Sequence, residues 1–390
     1  MARVLIGWEL GAHQGHITSI KLIADQLLTD GHNVAIALQQ IDAGGLDLDP
    51  RVSLWQAPVW PRLLINRRQP ASAPVATMGD ILCRVGLNQP GTLAAIIAGW
   101  DAICAAYRPD LIIANFAPAL LCAAKGRYPA VKVGDGFTAP PGHLTTFPSL
   151  TGAAPAFDEE AMLDLVDADL AASGRAPLPG LPALFAADHE MVSSFKLLDP
   201  YAIHRTVPHC APLIKPPLPD TTGGAGEEIF VYGFHGIDAG AALWDALSRT
   251  GKVVRVHMSS ASAEHLARFK TLGLNFEREP LPFTRIAARS RLVVSHGGHG
   301  FVSSALLSGL PQMITWFDLE KQFHGKAIAA AGLGRNHNLT AIKPDAFAAQ
   351  LLSIWDDDTL ARACTHAAPD FRSAMTRDAT AEISRIAHLL

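Results

Sequence analysis

Charge is scarce in this chain. Only 17% of its 390 residues are Asp, Glu, Lys or Arg, the formal net charge is −4, and no extended Lys/Arg run occurs. Without a basic surplus, no nucleic-acid partner or polyanionic surface is expected. Long hydrophobic runs are missing too. The best candidate, Leu93 to Cys104, is broken by Gly99, Trp100 and Asp101, and it falls short of the roughly 18 apolar residues of a spanning helix. The opening Met1 to Trp8 lacks the apolar core and cleavage site of a signal peptide. A cytoplasmic protein with no transmembrane segment is therefore expected. The five cysteines, Cys83, Cys104, Cys122, Cys210 and Cys364, are odd in number and contain no Cys-x-x-Cys. They read as free buried thiols in a reducing compartment. No His-x-x-x-His pair is present. Asp47-Leu48-Asp49 and Asp167-Ala168-Asp169 follow no apolar strand run and read as solvated surface, so no metal site is expected. No Gly-x-Ser-x-Gly surrounds Ser303 and Ser304, which excludes a nucleophile elbow there.

What is abundant is apolar sequence, at 49% of the chain. A chain of this length exceeds one ordinary core, so two domains are expected. Val4-Leu5-Ile6 reads as a strand, and a loop with Gly11 and Gly15 follows it. Ile20, Ile23, Ala24 and Leu27 then recur at helical spacing, Gly31 closes the helix, and Val34 to Leu38 reads as the next strand. That βαβ order predicts an α/β fold with a parallel sheet. Leu111 to Ala114 and Ala130 to Val133 continue it, while residues 57–90 and 136–160 are insertions rich in Pro and Gly. A Pro- and Gly-rich stretch at 212–226 reads as a linker. It separates a domain at 1–211 from one at 227–374, and the latter repeats the strand–helix rhythm. A last helix, within 375–390, is expected to return to the first domain.

Within the second half, Val293-Val294-Ser295-His296-Gly297-Gly298-His299-Gly300 runs from a strand into a helix. Glycines at such a turn let backbone N–H groups approach a phosphate, and the helix N-terminus adds partial positive charge. No Gly-Lys-Ser/Thr follows, so the turn is not a P-loop. The longer stretch Ser295 to Gly334 resembles the donor-binding signature of nucleotide-sugar glycosyltransferases of the plant and macrolide type. His296, Gly297, Gly298 and Gly300 match its turn. Gly309 and Pro311 match its Gly-x-Pro, Gln322 matches the glutamine that holds sugar hydroxyls, and Gly332-Leu333-Gly334 closes it. The family's ribose-binding glutamate falls on Ser304, its acidic residue before the glutamine on Lys321, and a later asparagine near Gly325.

The first loop reads Gly11-Ala12-His13-Gln14-Gly15-His16-Ile17, with Gly31-His32 after the helix. It resembles the first loop of the same family, whose histidine is the general base and here falls on His16. A histidine with a pKa of about 6.5 can take a hydroxyl proton at neutral pH. The family's orienting aspartate falls on Asn115, and Asp135 or Glu9 could substitute for it. His13 and Glu9 are the alternative bases.

The resemblance implies a GT-B fold, with two Rossmann-like parallel-sheet domains facing a central cleft. It also implies a UDP- or dTDP-sugar as donor co-substrate, no other cofactor and no catalytic metal. The donor is expected on His296, Gly297, Gly298, Gly300, Phe301, Val302, Lys321, Gln322, Gly233 and Leu281. A small, partly apolar acceptor, such as a natural product or a lipid-like molecule, is expected on Trp8, His13, Gln14, Phe116 and Phe137, with Trp60 and Phe147 as further candidates. The implied activity is an inverting, metal-independent hexosyl or deoxyhexosyl transfer by a monomer or homodimer. A catalytically idle nucleotide-sugar-binding protein, and an epimerase or hydrolase on the same fold, are the alternatives.

Overall fold

The computed structural model describes residues 1–11, 14–41, 46–65, 75–217, 223–233, 241–259 and 261–390. The side chains of Gln14, Leu64 and Ile65 are not among what it describes. His13 lies outside the described residues, as does 218–222 of the linker stretch. Two compact units are present. One comprises Met1–Leu213 with Arg377–Leu390, the other Ile214–Thr376.

The first unit runs β1 (Arg3–Trp8), α1 (Gln14–Thr29), β2 (Asn33–Leu38), β3 (Ser53–Gln56), α2 (Pro61–Ile65), α3 (Met78–Val85), α4 (Thr92–Tyr107), β4 (Leu111–Asn115), α5 (Pro118–Ala124), β5 (Ala130–Gly134), α6 (Glu159–Ala172) and β6 (His189–Val192). The second runs β7 (Glu228–Gly233), α7 (Ala241–Arg249), β8 (Val253–Met258), α8 (Ala263–Thr271), β9 (Asn275–Glu277), α9 (Phe283–Arg289), β10 (Ser290–Ser295), α10 (His299–Ser308), β11 (Gln312–Trp316), α11 (Leu319–Ala330), β12 (Gly334–Asn338), α12 (Pro344–Trp355) and α13 (Asp358–Ser373). α14 (Ala379–His388) then packs against α1 of the first unit.

The sheets have orders β3-β2-β1-β4-β5-β6 and β12-β11-β10-β7-β8-β9, and the paired strands are parallel throughout. Counted from its own first strand, each sheet has the Rossmann order 3-2-1-4-5-6. The direction of winding therefore reverses between β1 and β4 in one sheet and between β7 and β10 in the other. Central strands covered on both faces need continuous apolar runs. Accordingly Val4 to Trp8 and Leu111 to Asn115 are buried without alternation, whereas the edge strand β3 is largely exposed.

Local chemistry fixes the ends of the helices. After α1, the His32 N–H donates to Leu27 O and the Gly31 N–H to Leu28 O, with Gly31 at φ +83°. This closing motif satisfies the last carbonyls and needs the left-handed residue. α3 starts with a capping box in which Thr77 and Asp80 exchange hydrogen bonds. The other carboxylate oxygen of Asp80 accepts from Ala156 and Phe157 N–H, which ties the two Pro- and Gly-rich insertions together. The reading of Asp167 to Asp169 as solvated surface is overturned. Asp169 is buried and accepts from the N–H groups of Gly91, Leu93 and Ala94 at the start of α4. Asp167 accepts from the Leu178 N–H. All five cysteines are free and buried. Among the described residues no helix is long and apolar enough to cross a membrane.

Candidate functional site

Ligands of open α/β sheets bind beyond the carboxyl ends of the strands where the winding reverses. In the first unit that place holds Trp8 at the end of β1 and Asn115 at the end of β4, directly paired in register. His16 stands in the first turn of α1. Its Nδ1 lies 2.6 Å from Asn115 Oδ1. The amide oxygen facing Nδ1 suits the tautomer in which that nitrogen donates its hydrogen to Asn115. Gly11, at φ +86°, passes against Nε2, where any Cβ would collide with it. The imidazole also lies near-parallel to the Trp8 ring (5.1 Å between centroids, 22°) and the Phe116 ring (6.2 Å, 12°).

Glu9 does not take part in this group. Its side chain is fully buried, and both carboxylate oxygens are occupied. Oε1 accepts from Trp100 Nε1 and Leu120 N–H, and Oε2 from Trp60 Nε1 and Ala119 N–H. The two amides belong to the start of α5, so the carboxylate caps that helix. Burial raises its pKa to about 7, against the lowering effect of its hydrogen bonds. A carboxylate so enclosed is neither the alternative base nor a partner for His16. Asp135 Oδ1 accepts from the N–H and hydroxyl of Thr138. Trp60 and Phe147, offered as acceptor contacts, are packed: Trp60 against Glu9 and Phe147 edge-on to Phe185. Trp8, Phe116 and Phe137 are buried as well.

In the second unit the corresponding place lies beyond β7 and β10. Gly233 ends β7, and Ser295 leads into His296-Gly297-Gly298 before α10. Gly297 has φ +90°, and a Cβ there would stand 2.7 Å from Ile314 Cγ2. Gly298 is the N-cap of α10, and a Cβ on it would meet His296 Nε2 at 2.9 Å. Imidazole, glycine backbone and helix start thus converge, and the first turn of α10 presents backbone N–H groups outward as helix N-termini do. Val302, expected among those amides, donates its N–H to Gly298 O inside the helix and buries its side chain. Phe301 stacks on Tyr232 and Phe230, so its ring belongs to the core beneath the turn. Leu281 packs on the same cluster.

Gln322 lies in the first turn of α11, half-buried, next to Lys321. The Lys321 ammonium pairs with Glu320 at 2.6 Å and Asp318 at 3.6 Å, so the two acidic neighbours offset the lysine that replaces an expected acid. Ser304 hydrogen-bonds Gly300 O within α10. Phe276 stacks on Phe269, and Phe283 lies edge-on to Phe301. Sequence reasoning missed His324 and Tyr232. His324 Nδ1 lies 2.8 Å from Gly297 O, and Tyr232 stacks on His296. Their only sequence signal is position, two residues beyond Gln322 and at the end of the strand beside the turn. Among the described residues no group of three or more His, Cys, Asp or Glu could hold a metal ion.

Two Rossmann-ordered parallel sheets in one chain, with a helix that returns from the second unit to the first, have close counterparts among solved structures. The calicheamicin glycosyltransferase CalG4 superposes with TM-score 0.70 over 100% of this chain and 98% of its own, at 17% identity. The glycosyltransferase VinC, solved in complex with dTDP, gives 0.67 over 100% of both chains at 18% identity. The chain has the GT-B fold. A similarity in sequence accompanies the fold. The elloramycin glycosyltransferase ElmGT of Streptomyces olivaceus is 25% identical over 277 residues, 68% of this chain and 65% of that protein. The matched region therefore spans slightly less than two thirds of that relative. No protein-family model matches the chain.

Proposed function

We propose that this GT-B chain is a glycosyltransferase that moves a hexose or deoxyhexose from a UDP- or dTDP-sugar to a small, partly apolar acceptor of natural-product or lipid-like type. The observation that carries this reading is the turn His296-Gly297-Gly298 at the carboxyl end of β10. There a left-handed glycine, a buried imidazole and a helix N-terminus meet in a geometry suited to a diphosphate. The binding of dTDP by VinC, a protein of the same fold, agrees with it.

In the proposed reaction His16 Nε2 takes the proton of the acceptor hydroxyl as its oxygen attacks the anomeric carbon. The bond from that carbon to the diphosphate oxygen breaks, and the configuration inverts in one displacement. The leaving diphosphate is stabilised by the start of α10 and by His296, with no metal required. Gln322 holds sugar hydroxyls, and Lys321 with its acidic partners shapes the same end of α11.

The test is release of nucleoside diphosphate from UDP- and dTDP-sugars with and without an acceptor panel. Acceptor-dependent release together with a glycosylated product is the expected result. Binding without turnover would instead identify an idle sugar-nucleotide-binding protein, and acceptor-independent release or an altered sugar would identify a hydrolase or epimerase. With a confirmed acceptor, His16→Ala is expected to lower kcat by a factor of about 10² or more, and an unchanged rate would remove His16 from the mechanism.

A further inference from the structure

Two buried cations converge on one loop of the first unit. β5 ends at Gly134, and Val133 pairs in register with Asn115, whose side chain contacts His16. The segment 134–142 therefore leaves the sheet beside the candidate base, and it carries Phe137. Three of its carbonyls accept from the two cations. Lys132 Nζ donates to Pro140 O at 2.6 Å, and Arg205 donates to Ala139 O at 2.6 Å and to Gly136 O at 2.9 Å. The side chains of Lys132 and Arg205 are only 2% and 3% exposed. Each also has a carboxylate partner: Glu190 for Lys132, at 2.9 Å, and Asp199 for Arg205, at 2.8 and 3.1 Å. Burial pushes the Lys132 ammonium down to about 8, against the raising effect of Glu190, so it is largely charged at neutral pH. Burial acts to raise the Asp199 carboxyl, but His209 and Arg205 hold it down at about 2. The backbone of the segment is pressed against its supports as well. A Cβ on Gly136 would stand 2.5 Å from Asp199 Cα, and one on Gly142 would stand 2.6 Å from Ala186 N.

We infer that Arg205 and Lys132 are positioning residues for acceptor selectivity: they lock the segment 134–142 into one conformation and so make it a rigid wall of the acceptor site. The inference rests on the transferase reading above for what that wall encloses, but the clamp itself is a property of the free protein. Connecting segments at the ends of strands are ordinarily the mobile parts of a fold. Hydrogen bonds from a charged donor are shorter and stronger than neutral ones, and here three of them hold one short segment. Buried ion pairs often add no more stability than apolar residues of the same volume. Two such pairs directed at one loop therefore point to a fixed loop conformation instead of to extra stability. The guanidinium suits this task, because its planar fork serves Asp199, Gly136 and Ala139 at once. A wall ordered before binding removes the entropic cost of ordering it around the acceptor, and it turns away acceptors of the wrong shape.

The test follows amide hydrogen exchange in the full-length free protein, then kinetics with an acceptor that the native protein glycosylates. Arg205→Lys keeps a cation for Asp199 but cannot serve three partners together. Lys132→Met combined with Glu190→Gln removes the other donor without leaving a buried carboxylate alone, and it supplies the answer if Arg205→Lys folds poorly. In both proteins, peptides covering 134–142 are expected to exchange at least about tenfold faster, with those of β1 and β4 unchanged. The acceptor KM should rise about tenfold, with kcat within about twofold of native and the sugar-nucleotide KM unchanged. Preference among acceptors of different ring size should narrow in parallel. A merely structural role predicts otherwise, since loss of folded protein lowers the apparent kcat and leaves both KM values alone. Native exchange over 134–142 would overturn the inference, as would a loss confined to kcat or faster exchange throughout the first unit. The exchange measurement needs no turnover, so it separates from the transferase reading. If the segment loosens as expected but the native protein glycosylates no acceptor, the clamp stands and the fault lies with the proposed function.

Discussion

Trp60 Nε1 and Trp100 Nε1 donate to opposite oxygens of Glu9, at 3.0 and 2.7 Å. One buried carboxylate therefore links the insertion after β3, the long helix α4 and the start of α5, next to the strand end that bears Trp8. It has a measurable signature. Burial raises the Glu9 pKa from its ordinary 4.5 to about 7. The folded state thus holds this proton more tightly than the unfolded chain does. The resulting advantage is complete below the unfolded pKa and is lost as pH rises through about 7. At about 1.4 kcal/mol per unit, the loss is on the order of 3 kcal/mol. Glu9→Gln does not titrate, and its amide nitrogen would face two of the four donors, so it should melt lower than the native protein throughout. The gap between the two melting temperatures should narrow from about pH 5 to about pH 8, as the native protein alone meets the cost of ionisation. A gap independent of pH in circular-dichroism melts would show that Glu9 stays charged in the fold.

Gly297→Ala should damage the turn proposed to hold the donor. Its φ of +90° is strained for any residue with a Cβ, and that Cβ would stand 2.7 Å from Ile314 Cγ2 and 3.4 Å from Lys321 Cβ. Neither β11 nor α11 can withdraw without disturbing the sheet. Titration calorimetry with dTDP and UDP is expected to show at least about tenfold weaker binding, equivalent to roughly 1.4 kcal/mol. Gly298→Ala, with φ of −61°, meets only the His296 ring, at 2.9 Å. It should cost little stability but displace that imidazole, so binding should fall with little change in melting temperature.

The sequence reveals backbone roles more readily than side-chain partners, and the reason is physical. The runs Val4-Leu5-Ile6, Val34 to Leu38 and Leu292 to Val294 are legible because central parallel strands must be apolar throughout. The turn at Gly297 and Gly298 is legible because only glycine suits a left-handed, crowded backbone. Asn115 beside His16 was readable from the family resemblance, and the structure puts them in contact. Partners far apart in sequence were not readable. Glu9 meets Trp60, Trp100 and Leu120 across separations of up to 111 residues, and no local pattern distinguishes such a carboxylate from a titratable group on an open loop. For the same reason Trp60 read as an acceptor contact when its indole N–H is committed to the core.

Asp169 illustrates the same blindness and yields a clean control. Its local sequence, Asp167-Ala168-Asp169, looks like solvated helix surface, yet its carboxylate caps the start of α4 through Gly91, Leu93 and Ala94 at 2.7, 2.9 and 3.3 Å. Asp169→Ala leaves these amides without an acceptor and should destabilise the first unit by about 1–2 kcal/mol. Asp169→Asn, which retains one acceptor oxygen, should recover part of that loss. Denaturant melts measure the cost, and dTDP binding, proposed above for the second unit, should not change in either variant.

The chain's final helix gives a prediction about folding. α14 contributes Ala379, Ile383, Ile386 and Ala387 to the same core as Ile20, Ile23, Ala24 and Leu27 of α1. Its start is fastened by Arg377, which pairs with Glu382 and donates to Pro208 O at 2.7 Å. The first unit is therefore completed by residues that follow the second unit in the chain. A truncation after Thr376 would expose the apolar face of α1 and leave that core open, so the product should bind a hydrophobic dye and be cleaved readily by protease in the first unit. Ile383→Ala is the milder version. Its side chain is fully buried, and its removal should cost about 2–4 kcal/mol. If the truncated chain instead resisted protease as well as the intact protein, the helix would be dispensable packing and the first unit would be complete at Leu213.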